Sequence, residues 1–308
     1  MTHSLRVCPG DPQWIPRLGQ NVKGQPITEL FVRGRPLDPS ARYIAIVGTR
    51  KATLAGLEKT EEMATALSQA GFVIVSGMAL GVDGAAHRAA LAAGGHTVAV
   101  LGTGADLCYP PQHKKLRERI ESVGTLVSQY PDGTESQRFH FPERNRVMAA
   151  MCEAVVVIEG GLKSGALITA RFGLDFQRDV MALPGSTRNP VTAGPHELIR
   201  TSQAGLVTCA QDVMEVVAPG IVWAAADEDP STDRALPSGL EDVDGHILQL
   251  MDDVAASPEK LARAARRPPG EVSMALARLE VRGLVDRRFA GFLITGAGAR
   301  LRASLANL

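Results

Sequence analysis

Phe139 to Arg171 reads FHFPERNRVMAAMCEAVVVIEGGLKSGALITAR, and three pieces follow one another in it. Phe141-Pro142-Glu143-Arg144-Asn145-Arg146 opens a helix. Ala154 to Ile158 is a valine-rich apolar run of strand length. Glu159-Gly160-Gly161-Leu162-Lys163-Ser164-Gly165 then turns into a second helix that starts near Ser164. A buried strand, a glycine-rich turn and a helix N-terminus in succession make an anion site, because unpaired backbone N–H groups point outward there. Lys163 adds a mobile cation, while Arg144 and Arg146 add planar donors suited to phosphate oxygens. A lone arginine here would read as a salt-bridged structural residue. Two arginines, a lysine and a glycine turn at the end of one strand favour a phosphate-binding face.

Upstream, the same strand–turn–helix grammar repeats. Tyr43 to Val47 is a buried strand ending in Gly48-Thr49-Arg50-Lys51, and Leu54 to Ala70 has helical spacing that Gly71 stops. Phe72 to Val75 is the next strand, ending in Ser76-Gly77-Met78-Ala79-Leu80-Gly81-Val82-Asp83-Gly84. His96 to Leu101 is a third, ending in Gly102-Thr103-Gly104, and Val180 to Leu183 closes the series. Short apolar strands alternating with amphipathic helices predict an α/β fold with a doubly wound, mostly parallel Rossmann-like sheet. Ligands of such sheets bind at the carboxyl ends of the strands, and all of these glycine-containing turns fall there. No Gly-x-Gly-x-x-Gly follows the first strand and no GxxxxGK[ST] occurs, which argues against a nicotinamide cofactor and a P-loop ATPase.

At 308 residues, 45% hydrophobic and 21% charged, the chain has room for one large domain and a small one. It contains no apolar run long enough for a membrane span, and its N-terminus lacks the apolar core of a signal peptide. Cys8, Cys108, Cys152 and Cys209 form no CxxC pair, which argues for reduced thiols in the cytoplasm and against zinc. The 33 basic and 33 acidic residues cancel, but they segregate. Residues 220–253 carry nine acidic residues and one basic, Arg234, whereas basic residues outnumber acidic ones from Val254 onward. Nucleic-acid binding therefore stays open if it uses local patches.

Four segments are expected. Residues 1–40 form a lead-in that packs on the core, with one strand-like piece, Glu29 to Gly34. Residues 41–217 are the Rossmann-like domain, and 218–239 an exposed acidic linker. Residues 240–308 carry three helices and a hairpin turning at Ala290-Gly291, the pattern of a small C-terminal winged-helix domain. Its third helix, Gly270 to Arg282, carries Arg278 and Arg282, so either DNA or a protein is a reasonable partner.

Two candidate catalytic features carry structural readings, and a third feature, Arg50, reads as a ligand contact. Asp83 and His87 share a helix face, yet no third ligand is spaced to help, and Asp83 reads as an N-terminal cap. Ser164 lacks the GxSxG frame and an obvious base, and reads as a helix cap that also binds phosphate. The first-strand arginine, Arg50, suits ligand contact rather than a bare surface position.

The ordered motifs Val47-Gly48-Thr49-Arg50, Ser76-Gly77-Met78-Ala79-Leu80-Gly81-Val82-Asp83 with Ala86-His87, and Leu101-Gly102-Thr103-Gly104 with Asp106 and Tyr109-Pro110 carry a resemblance. Phe141 to Arg146, Ser164 to Ala170 and Leu183-Pro184-Gly185 complete it. Together they resemble the DNA-processing protein A (DprA/Smf) family over roughly residues 25–217, and the tail resembles that family's winged-helix domain. The resemblance implies a core that binds single-stranded DNA without cutting it, with no cofactor, no metal and no catalytic residue. It further implies a cytoplasmic homodimer that protects incoming DNA and loads RecA onto it in natural transformation. Carried over residue by residue, the DNA pocket takes Arg50, Arg144 and Arg146, with Lys163 beside them. The full expected set is Gly48, Thr49, Arg50, Lys51, Ser76, Gly77, Gly81, Phe141, Arg144, Asn145, Arg146, Lys163, Ser164 and Gly165. Phe139 or Phe141 offers a stacking face to a base.

The chain departs from the family's pattern in three places. A helical domain that often precedes the core is expected to be absent or removed here. Gly-Thr-Asn followed by Leu-Ile becomes Gly194-Pro195-His196-Glu197-Leu198-Ile199, and Asp-Gly-Ala becomes Ser202-Gln203-Ala204. Two rival functions compete with this one: a winged-helix transcription regulator and a Rossmann-like nucleotide phosphoribohydrolase. The hydrolase motif, Pro-Gly-Gly-x-Gly-Thr-x-x-Glu, needs a catalytic Glu where this chain has Thr169.

Overall fold

β-Branched runs too short for helices and apolar on both faces demand a sheet covered on both sides. The computed structural model, which describes residues 3–219, 240–251, 255–288 and 291–305, has that architecture. In chain order the first unit contains β1 (Leu5–Val7), β2 (Leu30–Gly34), β3 (Tyr43–Val47), α1 (Leu54–Gln69), β4 (Val73–Ser76), α2 (Val82–Ala92) and β5 (Thr97–Leu101). It continues with α3 (Lys114–Val123), β6 (Thr125–Ser128), α4 (His140–Met151), β7 (Ala154–Val157), α5 (Gly165–Asp175) and β8 (Asp179–Ala182). The last three elements are α6 (Ala193–Arg200), β9 (Gly205–Leu206) and α7 (Ala210–Val217).

Among the described residues these strands form one sheet in the order β1-β2-β6-β5-β4-β3-β7-β8-β9. Every pair from β6 to β9 is parallel, while β1 and β2 join antiparallel at one edge. Alternate residues of the central strands face opposite layers. Tyr43, Ala45, Val47, Val155 and Val157 pack toward the layer of α4, α5 and the N-terminal Trp14, Ile15 and Leu18. Ile44, Ile46, Ile74 and Val156 pack on the other face with Met63 and Leu67 of α1 and Val213 of α7. The lead-in therefore contributes both to the sheet edge and to a core layer.

The second unit, Asp227–Leu308, holds α8 (Asp242–Leu250), α9 (Pro258–Ala265), α10 (Pro269–Val281), the hairpin β10 (Val285–Arg288) and β11 (Gly291–Ile294), and α11 (Gly296–Leu305). Ile247, Leu261, Leu276, Leu279 and Phe292 meet in its core. The helices and hairpin make a winged-helix unit, to which α11 adds a helix beyond the three expected. The expected acidic linker falls mainly on residues 220–239, outside the described residues, as does Ala290 of the hairpin turn. No helix among the described residues is long and apolar enough to cross a membrane.

Candidate nucleic-acid interface

Strand order reverses between β3 and β7, whose following helices, α1 and α5, lie on opposite faces of the sheet. The chain diverges there and leaves a crevice beyond the carboxyl ends of the two strands. Gly48 to Lys51 form one lip, and Glu159 to Gly165 the other. Glu159, only 5% exposed, joins them. Its carbonyl accepts from the Thr49 N–H at 2.7 Å, and its carboxylate accepts from the Thr53 N–H (2.9 Å) and hydroxyl (2.5 Å). The Thr53 hydroxyl oxygen in turn accepts from the Gly56 N–H and caps α1. With the loop fixed this way, Arg50 and Lys51 project into solvent, both exposed.

The floor comes from the loop after β4. The Ser76 hydroxyl donates to the Ile46 carbonyl at 2.6 Å, tying the strand end to β3. Met78 adopts a left-handed conformation, φ +60°, and Gly81 has φ +76° with the Thr49 carbonyl pressed against its Cα, a close approach that glycine permits. Asp83 is not the cap expected of it. Gly81 takes the N-cap position of α2, and the buried Asp83 carboxylate reaches back to accept from the N–H groups of Gly77 (3.2 Å) and Ala79 (3.3 Å). Burial raises its pKa, with Arg144 opposing.

The arginines of α4 part company. Arg144 is 5% exposed and donates through Nη1 to the carbonyls of Gly77 and of Val100, the latter at 2.8 Å. Burial lowers its pKa to about 10, Asp83 opposing the shift and Arg50 adding to it. Arg146 turns away from the crevice, with its guanidinium 5.8 Å from the centre of the Phe176 ring. Asn145 donates to the Gly165 carbonyl at 3.3 Å and holds the start of α5. Lys163 is exposed on the turn but is not part of the crevice wall. Ser164 takes the N-cap position of α5, yet its side chain makes no capping bond and its buried Oγ has no partner, so its expected capping role is not realised.

The crevice encloses about 400 Å³ between Arg50, Lys51, Asn145, Ser164, Gly165 and Thr169. A second hollow of about 280 Å³ adjoins it, walled by Leu80, Leu101, Tyr109, Pro110 and Gln112. Arg50, Phe141 and Arg144 belong to both. Phe141 packs 5.4 Å from Tyr109 at 44°, and the Arg50 guanidinium lies 5.8 Å from the Phe141 ring centre. One lobe therefore offers cations and helix N–H groups, the other aromatic and apolar faces. Tyr109 and Leu80 of the second lobe, and the bracing Glu159, lay outside the residues expected from sequence. The Tyr109-Pro110 pair was visible in a motif, but nothing local said that it would meet Phe141.

Thr169 stands on the crevice wall where a hydrolase would need a carboxylate, its hydroxyl 3.4 Å from the Gly165 carbonyl. His87 is fully buried against Thr97 at 2.7 Å, and burial holds its pKa down to about 3. Among the described residues no group of three or more His, Cys, Asp or Glu side chains could hold a metal ion.

In the winged-helix unit, Arg278 of α10 binds Asp244 at 2.7 Å and Glu241 at 3.1 Å. The exposed positions of α10 include Met274 and Val281, 64% and 89% exposed, together with Glu271 and Glu280, so the helix presents apolar and acidic rather than basic side chains.

Comparison with known proteins converges on one family. The profile described as DNA recombination-mediator protein A matches residues 6–218, and that of the DprA winged helix domain matches residues 230–291. A "Putative DNA processing protein DprA" of Mycobacterium tuberculosis is 40% identical over 259 residues, 84% of this chain and 66% of its own length. Protein Smf of Escherichia coli is 34% identical over 263 residues, 83% of this chain and 68% of that protein. The crystal structure of DNA processing protein A from Streptococcus pneumoniae superposes with a TM-score of 0.64 at 36% identity, covering 68% of this chain and 73% of that one. The Helicobacter pylori protein, described for its single-stranded DNA binding mode, gives 0.61 at 27% identity, covering 70% of this chain and 96% of that one. This chain thus spans about two thirds of the length of the M. tuberculosis relative.

Proposed function

The chain belongs to the DNA recombination-mediator protein A family, and from that membership and the two-lobed groove we propose that it binds single-stranded DNA at the carboxyl edge of its sheet. The observation that carries the proposal is that cation and ring share one wall, with Arg50 beside Phe141. In a single strand, phosphates and unstacked bases alternate along the chain, and a groove with a cationic lobe next to an aromatic one matches that alternation. Arg50, Lys51 and the N–H groups at the start of α5 take the phosphates, and Phe141 and Tyr109 take a base face. A duplex keeps its bases stacked and paired and cannot fill the second lobe.

The protein works without turnover, shielding the strand and loading the RecA recombinase onto it in natural transformation and recombination, as a cytoplasmic homodimer. The family's description as a recombination mediator and the single-stranded DNA binding of the H. pylori relative support this role. The groove itself supports the binding step alone.

Titration of a fluorescent single-stranded oligonucleotide with wild type and Arg50→Ala at several salt concentrations tests the proposal. Wild type binds and weakens steeply with salt; Arg50→Ala loses roughly tenfold in affinity, and the slope of log K against log salt shrinks by about 0.7, one phosphate contact. Equal binding by the two proteins would place the DNA elsewhere.

A further inference from the structure

Arg144 carries a full charge into the one part of the groove where a charge is hardest to keep. It is buried, its Nη1 already serves two carbonyls, and its Nε has no hydrogen-bond partner. Those bonds join two neighbouring strand ends, Gly77 after β4 and Val100 in β5. The guanidinium lies so close to the Gly77 Cα that any Cβ there would collide with it. The Gly77 peptide is gripped from both sides, because its N–H donates to Asp83 while its carbonyl accepts from Arg144. Asp83 also holds Ala79.

The gripped loop ends at Gly81, against which the Thr49 carbonyl packs, and the Val82 N–H donates to that same carbonyl at 3.3 Å. Thr49 immediately precedes Arg50. A continuous set of contacts therefore runs from Arg144 and Asp83 through the loop 77–82 to the backbone that aims Arg50. Electrostatics agree: the buried guanidinium and the buried Asp83 carboxylate carry opposite charges on the two sides of the Gly77 peptide and oppose each other's field in the groove, whereas Arg50 and Lys51 are exposed at its lip.

We propose that Arg144 and Asp83, which grip the Gly77 peptide from its carbonyl and its N–H, together position Arg50 for DNA, and that Arg144 is a positioning residue rather than a phosphate ligand. The inference rests on the single-stranded DNA reading of the groove. It differs from the expectation drawn from sequence, in which Arg144 lined the pocket as a direct contact.

Two consequences separate the roles. Replacing Asp83 by Asn removes a negative charge beside the groove while keeping an amide oxygen to accept from Gly77 and Ala79. If Arg144 touches phosphate, Asp83→Asn tightens DNA binding, because the competing anion is gone. If the pair positions Arg50, Asp83→Asn weakens binding, because the buried guanidinium has lost a nearby counter-charge and a neutral amide accepts more weakly than a carboxylate from Gly77 and Ala79. Coupling gives the second consequence, since a residue that acts through Arg50 has nothing left to position once Arg50 is removed.

The experiment is a salt-resolved titration of a fluorescent thymidine oligonucleotide with wild type, Asp83→Asn, Arg144→Lys, Arg50→Ala and the double variant Arg144→Lys/Arg50→Ala. Expected are a roughly tenfold loss for Asp83→Asn and for Arg144→Lys, each with the wild-type salt slope, and a double variant no weaker than Arg50→Ala. Tighter binding by Asp83→Asn would overturn the proposal. So would a reduced salt slope in Arg144→Lys, additive with Arg50→Ala. Should Arg144→Lys fail to fold, the sign of the Asp83→Asn effect decides alone. Failure of wild type to bind at low salt would remove the DNA reading and this inference with it, whereas wild-type binding with a tighter Asp83→Asn removes the inference only.

Discussion

His87 shows what a titratable side chain does when the fold takes it out of water. It is fully buried, its Nδ1 engaged with Thr97, and its pKa lies at about 3 against an ordinary 6.5. A base whose folded-state pKa is depressed contributes stability above its unfolded pKa and loses it as pH falls toward the folded value. Urea unfolding at pH 7 and pH 5 should therefore show a loss on acidification, of which His87 supplies about 2 kcal/mol. His87→Gln should shrink that loss, and an unchanged pH dependence would contradict the assignment. From the sequence, the Asp83–His87 spacing suggested one helix face with chemical potential. Burial divides the pair: Asp83 turns to the loop before its helix and His87 to β5. Spacing along a helix is legible in a sequence, but the depth of that helix in the layer is not.

At the scale of elements, β3, β4, β5, β7 and β8 were legible because each is a short apolar run that closes on a glycine-containing turn, whereas β6 and β9 lack that signature and were not placed. Less legible was what joins elements far apart in the chain. Glu159 bridges the turns after β3 and β7, and Arg144 the ends of β4 and β5; both contacts depend on strand order, which no local pattern encodes. The winged-helix unit repeats the lesson. Arg278 read as a basic residue on a recognition helix, yet it is committed to Asp244 of α8, a carboxylate with no exposed surface. Arg278→Ala should leave that carboxylate with only the Glu241 N–H as partner among the described residues and destabilise the unit by about 2 kcal/mol. In the full chain its thermal transition should move down while that of the sheet unit stays put. A common shift of both transitions, or none, would contradict this account of α8 and α10.

For the whole molecule, the central claim is one of location. A chain of zero net charge has no global field to draw in nucleic acid, so its affinity must come from a local arrangement. Two arrangements are available in principle: the groove at the strand reversal and the arginines of the winged-helix unit. The groove combines exposed cations, a helix N-terminus and an aromatic lobe, whereas α10 presents Met274, Val281, Glu271 and Glu280 to solvent and spends Arg278 on its neighbours. Hydrogen exchange of the full chain, with and without a single-stranded oligonucleotide, tests this directly. The account predicts slowed exchange at residues 48–51, 77–81 and 164–166, with residues 263–288 unchanged. Protection confined to 263–288, with none at 48–51, would contradict it.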